Sequence, residues 1–439
     1  MIRAAAVLIV LSLQEGDRAA PLLRTLESGG DVRKTYHALA DLTALGEPAL
    51  PAIERRIPGV EGRSRELLQL AADEIRSVRM LTGVPPARRI SMKSSDRNVI
   101  ELLNDLRSRT GVALALDNLM GDEKLPEVPV DIQDATMLEA FDAICRAGNV
   151  TLTMEGGQLN LYPGDYAELP RFFYDHYFFR LQSFVLSKAV TFRKPAVQWF
   201  RIQMEMLWNP AAAPCRIGAP VVLEVADDKG KSLLPPPAKK EKPEEHPEDP
   251  EHNAIDQQAV HPLELLPPSP GAQKLAVLRG YRTISLPKDK MTVSFTADPS
   301  RKAPPEGEPL TPPLEGLVRK NGDYTVKITK IEPSLFRIAC EVTSKTLKAE
   351  DISKMPFMAT VMLKGGEATR AYANPWSMKD GVAEVMIGFQ PLTIKEVLVL
   401  PGGEDRPAPA PAVEKLEFSI VTAVQERRIP FEFREVKLK

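Results

Sequence analysis

Apolar residues between 18 and 82 recur at three- and four-residue spacing, the period of helices that bury one face. Leu22, Leu23 and Leu26 form one stripe, and Tyr36, Leu39, Leu42 and Leu45 a second. Leu67, Leu68, Ala71, Ala72 and Ile75 form a third. Between the last two lies Leu45-Gly46-Glu47-Pro48-Ala49-Leu50-Pro51-Ala52-Ile53. Gly46 suits a helix C-cap, and Pro48 fits the first turn of the next helix. Thr82-Gly83-Val84-Pro85-Pro86 breaks the helical period.

The pattern then alternates between short strands and helices. Ile90-Ser91-Met92 reads as a strand, and Asp96 can cap a helix whose apolar face is Val99, Ile100, Leu102, Leu103 and Leu106. Strands follow at Val112 to Leu116 and Val128 to Ile132. A second helix carries Leu138, Phe141, Ala143 and Ile144, and Val150 to Tyr162 makes a hairpin. The predicted order is β-α-β-β-α-β-β. From about residue 168 the period is two: Phe200, Ile202, Met204, Met206 and Trp208 alternate with Arg201, Gln203, Glu205 and Leu207.

Two segments resemble known families. The element around Gly46 to Pro51 resembles the joint between paired helices of HEAT-like repeats. Only about one and a half units are present, so the helices are expected to dock on a neighbour, because solenoid units need three or more to bury a continuous core. Residues 85–165 resemble the secretin and TonB short N-terminal domain. Ile90-Ser91-Met92, Leu102-Leu103, Thr110-Gly111-Val112, Leu138-Glu139-Ala140-Phe141 and Asn149-Val150-Thr151-Leu152 carry that likeness. The resemblance implies a module that contacts other proteins, yet nothing downstream resembles a secretin pore or a receptor barrel. The whole order also resembles exported proteins of planctomycete-type bacteria that end in a phrase like Ile429-Pro430-Phe431-Glu432-Phe433-Arg434-Glu435-Val436, and no activity attaches to that likeness.

The expected architecture is therefore multidomain α+β. A signal segment occupies 1–17, HEAT-like helices 18–82, and the βαββαββ module 85–165. Two immunoglobulin-like β-sandwiches follow at 168–300 and 314–439, joined by a linker at 301–313. Residues 235–271 hold ten Pro and only three Lys against eight Asp and Glu, which predicts an insertion without fixed structure. Phe172-Phe173-Tyr174 and Tyr177-Phe178-Phe179 predict strands apolar on both faces, plugging the junction with the preceding domain.

Chemistry is sparse. A net charge of −2 gives no electrostatic footprint for nucleic acid. The three cysteines, Cys145, Cys215 and Cys340, lie too far apart for a zinc knuckle or a C-x-x-C motif, and Cys145 and Cys340 read as small buried hydrophobes. No G-x-S-x-G elbow or phosphate-binding loop occurs. Three of the five histidines, His246, His252 and His261, fall in the Pro-rich insertion at irregular spacing, and Asp227-Asp228-Lys229-Gly230 reads as a turn rather than a calcium loop. These features predict no catalytic residue, no metal ligand and no cofactor.

One arginine and about ten apolar residues at the N-terminus have the shape of a secretory signal and are too short to span a bilayer. The expectation is an exported, non-enzymatic envelope protein that binds a protein partner, with no nucleic acid and no membrane span. Arg97, Glu101, Asp105, Arg107 and Arg109, on the exposed side of the first module helix, are the candidate contact residues. The alternative is a carbohydrate- or polymer-binding sandwich using Trp199, Trp208 or Trp376, with Trp208 on the buried face and Trp376 in a loop, where it could be exposed.

Overall fold

The computed structural model describes residues 18–78, 87–110, 112, 114–115, 126–155, 158–164, 166–191, 194–236, 260–297, 314–332, 337–363, 368–379, 382–389 and 413–438. It is a mixed α+β fold whose sheets are mostly antiparallel. The signal segment and the expected linker at 301–313 lie outside the described residues.

Helices α1 (residues 18–28), α2 (Val32–Leu45), α3 (Leu50–Arg56) and α4 (Gly62–Val78) form the first layer. Asp31 caps α2 by accepting from the Lys34 amide, and Gly46 ends it at φ 70°, a conformation that disfavours any residue with a Cβ. Leu26, Leu39, Leu42, Ile53, Leu68 and Ile75 are all buried between these helices.

The next layer is β1 (Ile90–Asn98), α5 (Val99–Thr110), β2 (Leu114–Ala115), β3 (Glu127–Ala135), α6 (Met137–Gly148), β4 (Val150–Glu155) and β5 (Gln158–Pro163). β1 pairs antiparallel with β3, while β5 lies between β2 and β4 in a separate three-stranded sheet. Thr136 and Glu139 form a reciprocal capping box at the start of α6. The two helices touch at Gly148, where a Cβ would meet Val99 Cγ2 at 2.3 Å.

Strands β6 (Arg171–Tyr174), β7 (Tyr177–Thr191), β8 (Lys194–Trp208) and β10 (His261–Leu265) make a four-stranded sheet. It packs on β9 (Arg216–Asp227), the first half of β11 (Lys274–Thr296) and the second half of β18 (Val413–Lys437). Phe179 against Phe431 (5.7 Å) and Phe172 against Phe433 (6.3 Å) mark that contact. The helices, the module and this sandwich share one apolar core.

The remaining halves of β11 and β18 join β12 (Val318–Asn321), β13 (Tyr324–Glu332), β14 (Arg337–Ser344), β15 (Phe357–Leu363), β16 (Ala368–Lys379) and β17 (Val382–Gly388) around a second core. A short helix, α7 (Ala349–Ser353), packs on β14 and β17. Asn321 donates to the Thr292 carbonyl (2.9 Å), bringing β12 against β11.

Three expectations are corrected. The β region does not divide into separate sandwiches at 168–300 and 314–439, because β11 and β18 pair continuously from Lys274↔Lys437 to Thr296↔Lys415. Apolar alternation runs through both strands with only a bulge near Asp289, so each serves both cores. The insertion 235–271 is not structureless throughout: His261–Leu265 is β10, paired with Phe200 to Met204. The part at 237–259 lies outside the described residues. Trp376 stands within β16 at a register shift between Pro375 and Ser377, not in a loop, and its side chain lies outside the description.

Candidate binding groove at the junction

Four pieces of chain meet beside α6, and a groove of about 710 Å³ lies between them. That size falls within the range of ordinary ligand pockets. α2 contributes Val32 and Arg33, β3 contributes Asp131 to Gln133, and α6 contributes Glu139, Asp142, Ala143 and Arg146. Pro170 to Phe173 enter from β6 and its lead-in, and Glu432, Phe433, Arg434 and Val436 from β18. β6 is the outermost strand of its sheet, β3 pairs only with β1 among the described residues, and both contribute residues to the lining.

Its charged lining is four arginines and four carboxylates, a balanced set. Glu139 is buried and accepts from Arg33 Nε (2.8 Å), with His37 Nε2 at 3.1 and 3.2 Å from its two oxygens. Burial alone would raise the Glu139 carboxyl, but the His37 and Arg33 hydrogen bonds outweigh it and hold the group at about 2. Arg33 Nη2 also donates to the carbonyls of Gln133 and Asp134 (3.2 Å each), which ties α2 to the end of β3. Asp134 itself sits at φ 47°, a costly conformation for a residue with a side chain.

Asp142 accepts from Arg171 Nη1 (2.7 Å) and from the Tyr166 hydroxyl (3.0 Å). Burial pushes its carboxyl above the usual carboxylate range despite Arg171. Glu432, with no exposed surface on its side chain, accepts from the Tyr36 hydroxyl (3.0 Å) and from Arg434 Nε (2.7 Å), and pairs with Arg63 at 2.9 Å. The Tyr36 hydroxyl is pushed up by burial and by the neighbouring Glu432 charge. Phe172 meets the Tyr36 ring edge-on at 4.7 Å. The aromatic strands thus plug the junction with the helices.

These carboxylates are occupied in holding elements together, and the lining contains no serine, cysteine or histidine. What the groove offers is an apolar lining (Val32, Ala143 and Phe173) together with half-exposed Arg33, Arg146 and Arg434. Such a surface suits an extended chain with both apolar and polar side chains.

The expected contact residues lie together outside the groove, but not all on the helix as expected: Arg97 stands near the end of β1, and Glu101, Asp105, Arg107 and Arg109 stand on α5. Asp105 accepts from Arg97 Nη1 (2.9 Å) and Arg109 Nε (2.8 Å), and Arg97 Nη2 donates to the Glu101 carbonyl. Hydrogen bonds from Arg109 first, then from Arg97, hold the Asp105 carboxyl below its usual range. Arg107 is exposed beside this cluster. Residues that do line the groove were signalled in sequence only by charges inside apolar runs, Glu139 between Leu138 and Phe141 and Glu432 between Phe431 and Phe433.

Among the described residues no group of three or more His, Cys, Asp or Glu could hold a metal ion. Cys145, Cys215 and Cys340 are each buried, and burial raises the thiols of Cys145 and Cys340. Asp227 accepts from the amides of Lys229 (3.0 Å), Lys231 (2.9 Å) and Ser269 (2.7 Å), which is turn chemistry. Trp208 is fully buried, and Trp199 is partly exposed on the β7–β8 hairpin. No described helix is long and apolar enough to cross a membrane. No protein family, no curated protein and no solved structure matches this chain.

Proposed function

We propose that this chain is a non-enzymatic scaffold of the cell envelope that holds an extended segment of a protein partner in the junction groove. In this reading residues 18–82 are HEAT-like helices braced against a secretin/TonB short N-terminal-like module at 85–165, and the N-terminal segment directs export. The element order over residues 90–163, with two helices between a two-stranded and a three-stranded sheet, supports the module assignment.

The observation that carries the reading is the groove itself. Its lining combines apolar Val32, Ala143 and Phe173 with half-exposed Arg33, Arg146 and Arg434, and includes residues of β6, the outermost strand of its sheet. Partner strands add to such borders through main-chain hydrogen bonds, with side-chain pockets supplying selectivity. The cluster of Arg97, Asp105 and Arg109 lies outside this groove and brings charged pairs without its apolar lining residues.

A photo-crosslinking side chain placed at Ala143 in the full-length chain, with a second at Arg107 as comparison, tests the assignment in the native host. One discrete crosslinked protein from Ala143, competed away by unlabelled wild-type chain and not by unlabelled Ala143→Arg chain, is the expected result. Crosslinking from Arg107 alone would move the contact to α5, and crosslinking from neither site would overturn the reading. Cell fractionation that leaves the chain in the cytoplasm would overturn its envelope placement.

A further inference from the structure

A second cavity, of about 330 Å³, lies where the module meets the four-stranded sheet. Leu152 of β4, Leu169 of the segment before β6 and Phe178 of β7 supply its apolar walls, and Asp142, Arg171 and Arg180 its charges. Ligand sites favour such junctions between packed units. Asp142 and Arg171 line the groove as well, so the two spaces share a wall. Phe173 on the groove side and Phe178 on the cavity side stack at 4.4 Å.

Most polar groups around the cavity are already committed. Arg171 donates through Nε to the Leu169 carbonyl (3.2 Å), through Nη1 to Asp142 (2.7 Å) and through Nη2 to Glu168 (2.8 Å). Asp142 takes a further bond from the Tyr166 hydroxyl. Arg180 gives Nε to Glu205 and Nη1 to the Leu152 carbonyl (3.1 Å), while its Nη2 makes no hydrogen bond among the described residues. Glu205 has no exposed side-chain surface and pairs through one oxygen only. Charge is therefore balanced, Arg171 against Asp142 and Arg180 against Glu205. What is left over is the donor group at Arg180 Nη2.

That remainder selects a class of ligand. An anion would bring in a charge with no partner, and a purely apolar group would leave the Arg180 donor unmet. A neutral acceptor on an apolar body meets both conditions. A ring suits the walls better than an aliphatic chain, because it gains from contact with the Phe178 ring and with the guanidinium groups. We propose that the cavity binds a phenolic ring, supplied by a tyrosine of the partner segment that lies in the groove. The ring's source thus rests on the groove reading, whereas the chemistry of the cavity does not. Side-chain pockets of this kind give the recognition of extended chains its selectivity.

Saturation-transfer NMR on the full-length chain, with N-acetyl-L-tyrosinamide as probe, tests the cavity. The probe should bind, and N-acetyl-L-phenylalaninamide should bind at least about tenfold more weakly. Ala167→Trp fills the cavity from an exposed position, and should abolish probe binding while thermal unfolding stays unchanged. Arg180→Met with Glu205→Met removes the donor and its buried counter-charge together, and should bring the two probes to equal affinity. A tyrosine probe that fails to bind wild type, or binds Ala167→Trp equally well, would overturn the proposal, as would equal affinity of the two probes for wild type. Photo-crosslinking from Ala143 decides the source of the ring. Loss of that crosslink in the Ala167→Trp chain gives the ring to the partner, and an undiminished crosslink would overturn that assignment in favour of a free phenol. Probe binding without any Ala143 crosslink in wild type would overturn the groove reading and the partner's tyrosine with it, while supporting the chemistry of the cavity.

Discussion

Arg427 and Glu74 stand 353 residues apart in the chain and meet as a buried ion pair. Glu74 lies on α4 and Arg427 on β18, so the pair fastens the first layer of the protein to its last strand. Tyr174 donates to Glu74 at 2.9 Å, and Asp175 lies 3.3 Å from Arg427, bringing the turn before β7 into the same network. Burial alone would lower the Arg427 pKa, but Glu74 and Asp175 raise it well above its ordinary value. Removing one member of such a pair strands the other. Glu74→Gln is expected to cost roughly 3–5 kcal/mol, and Glu74→Leu with Arg427→Met less than the two single changes added together. Denaturant unfolding of wild type, Glu74→Gln, Glu74→Leu, Arg427→Met and the double variant checks this; a cost under about 1 kcal/mol for Glu74→Gln would show that the pair does not hold the layers.

Glu139 makes stability depend on acid. Its carboxyl sits at about 2 in the folded chain, against about 4.3 when unfolded. A lowered folded value means that the contribution is fully present above about 4.3 and is lost as pH falls toward 2. The size is on the order of 3 kcal/mol. Wild type should therefore exceed Glu139→Gln in stability near neutral pH, and the two should converge by about pH 2. Parallel unfolding curves with a constant gap across that window would contradict the assignment.

Gly280 lies where β11 passes between β9 and the sandwich core. A Cβ there would come 2.0 Å from the Val221 carbonyl oxygen and 2.8 Å from Phe431 Cζ. The first of these is backbone, which cannot swing aside as a flexible side chain could. Gly280→Ala should cost at least about 3 kcal/mol or prevent folding. Thermal unfolding within a few degrees of wild type would show that β9 can separate from β11 at little cost.

The Arg97, Asp105 and Arg109 cluster should matter little to folding. Its members are partly exposed, and exposed ion pairs contribute roughly 0–1 kcal/mol. Asp105→Asn should lower stability by less than about 1 kcal/mol, and the difference should shrink as salt is added. A larger, salt-independent loss would mean that the cluster pins β1 to α5, through the Arg109 donation to the Ser91 carbonyl.

Legibility followed the range of each interaction. Leu39, Leu42 and Leu45 declared a helix through spacing alone, and Gly46 with Pro48 declared its end, because those preferences are settled within a few residues. The docking of the helices was predictable from their number, since so few cannot close a core. Their second seat was not. Glu432 appears in sequence as a charge between Phe431 and Phe433, with nothing local to name Tyr36 and Arg63 as its partners. The junction groove was hidden for the same reason, being lined by α2, β3, α6, β6 and β18 together.

What the sequence determined by itself is the kind and order of elements: helices to residue 78, alternation of strand and helix to 163, and strands thereafter. It also contained the phrase Ile429 to Val436, whose alternation makes a strand wherever it lands. Only the tertiary structure decided that this strand returns to the first sandwich and that β11 and β18 run unbroken through two cores. It also decided that the last strand's charges meet the first helices. Periodicity is written in the identity of near neighbours, whereas strand pairing selects among many apolar edges of equal local merit. That selection is made by burial and charge matching between residues hundreds of positions apart, and so exists only once the chain has folded.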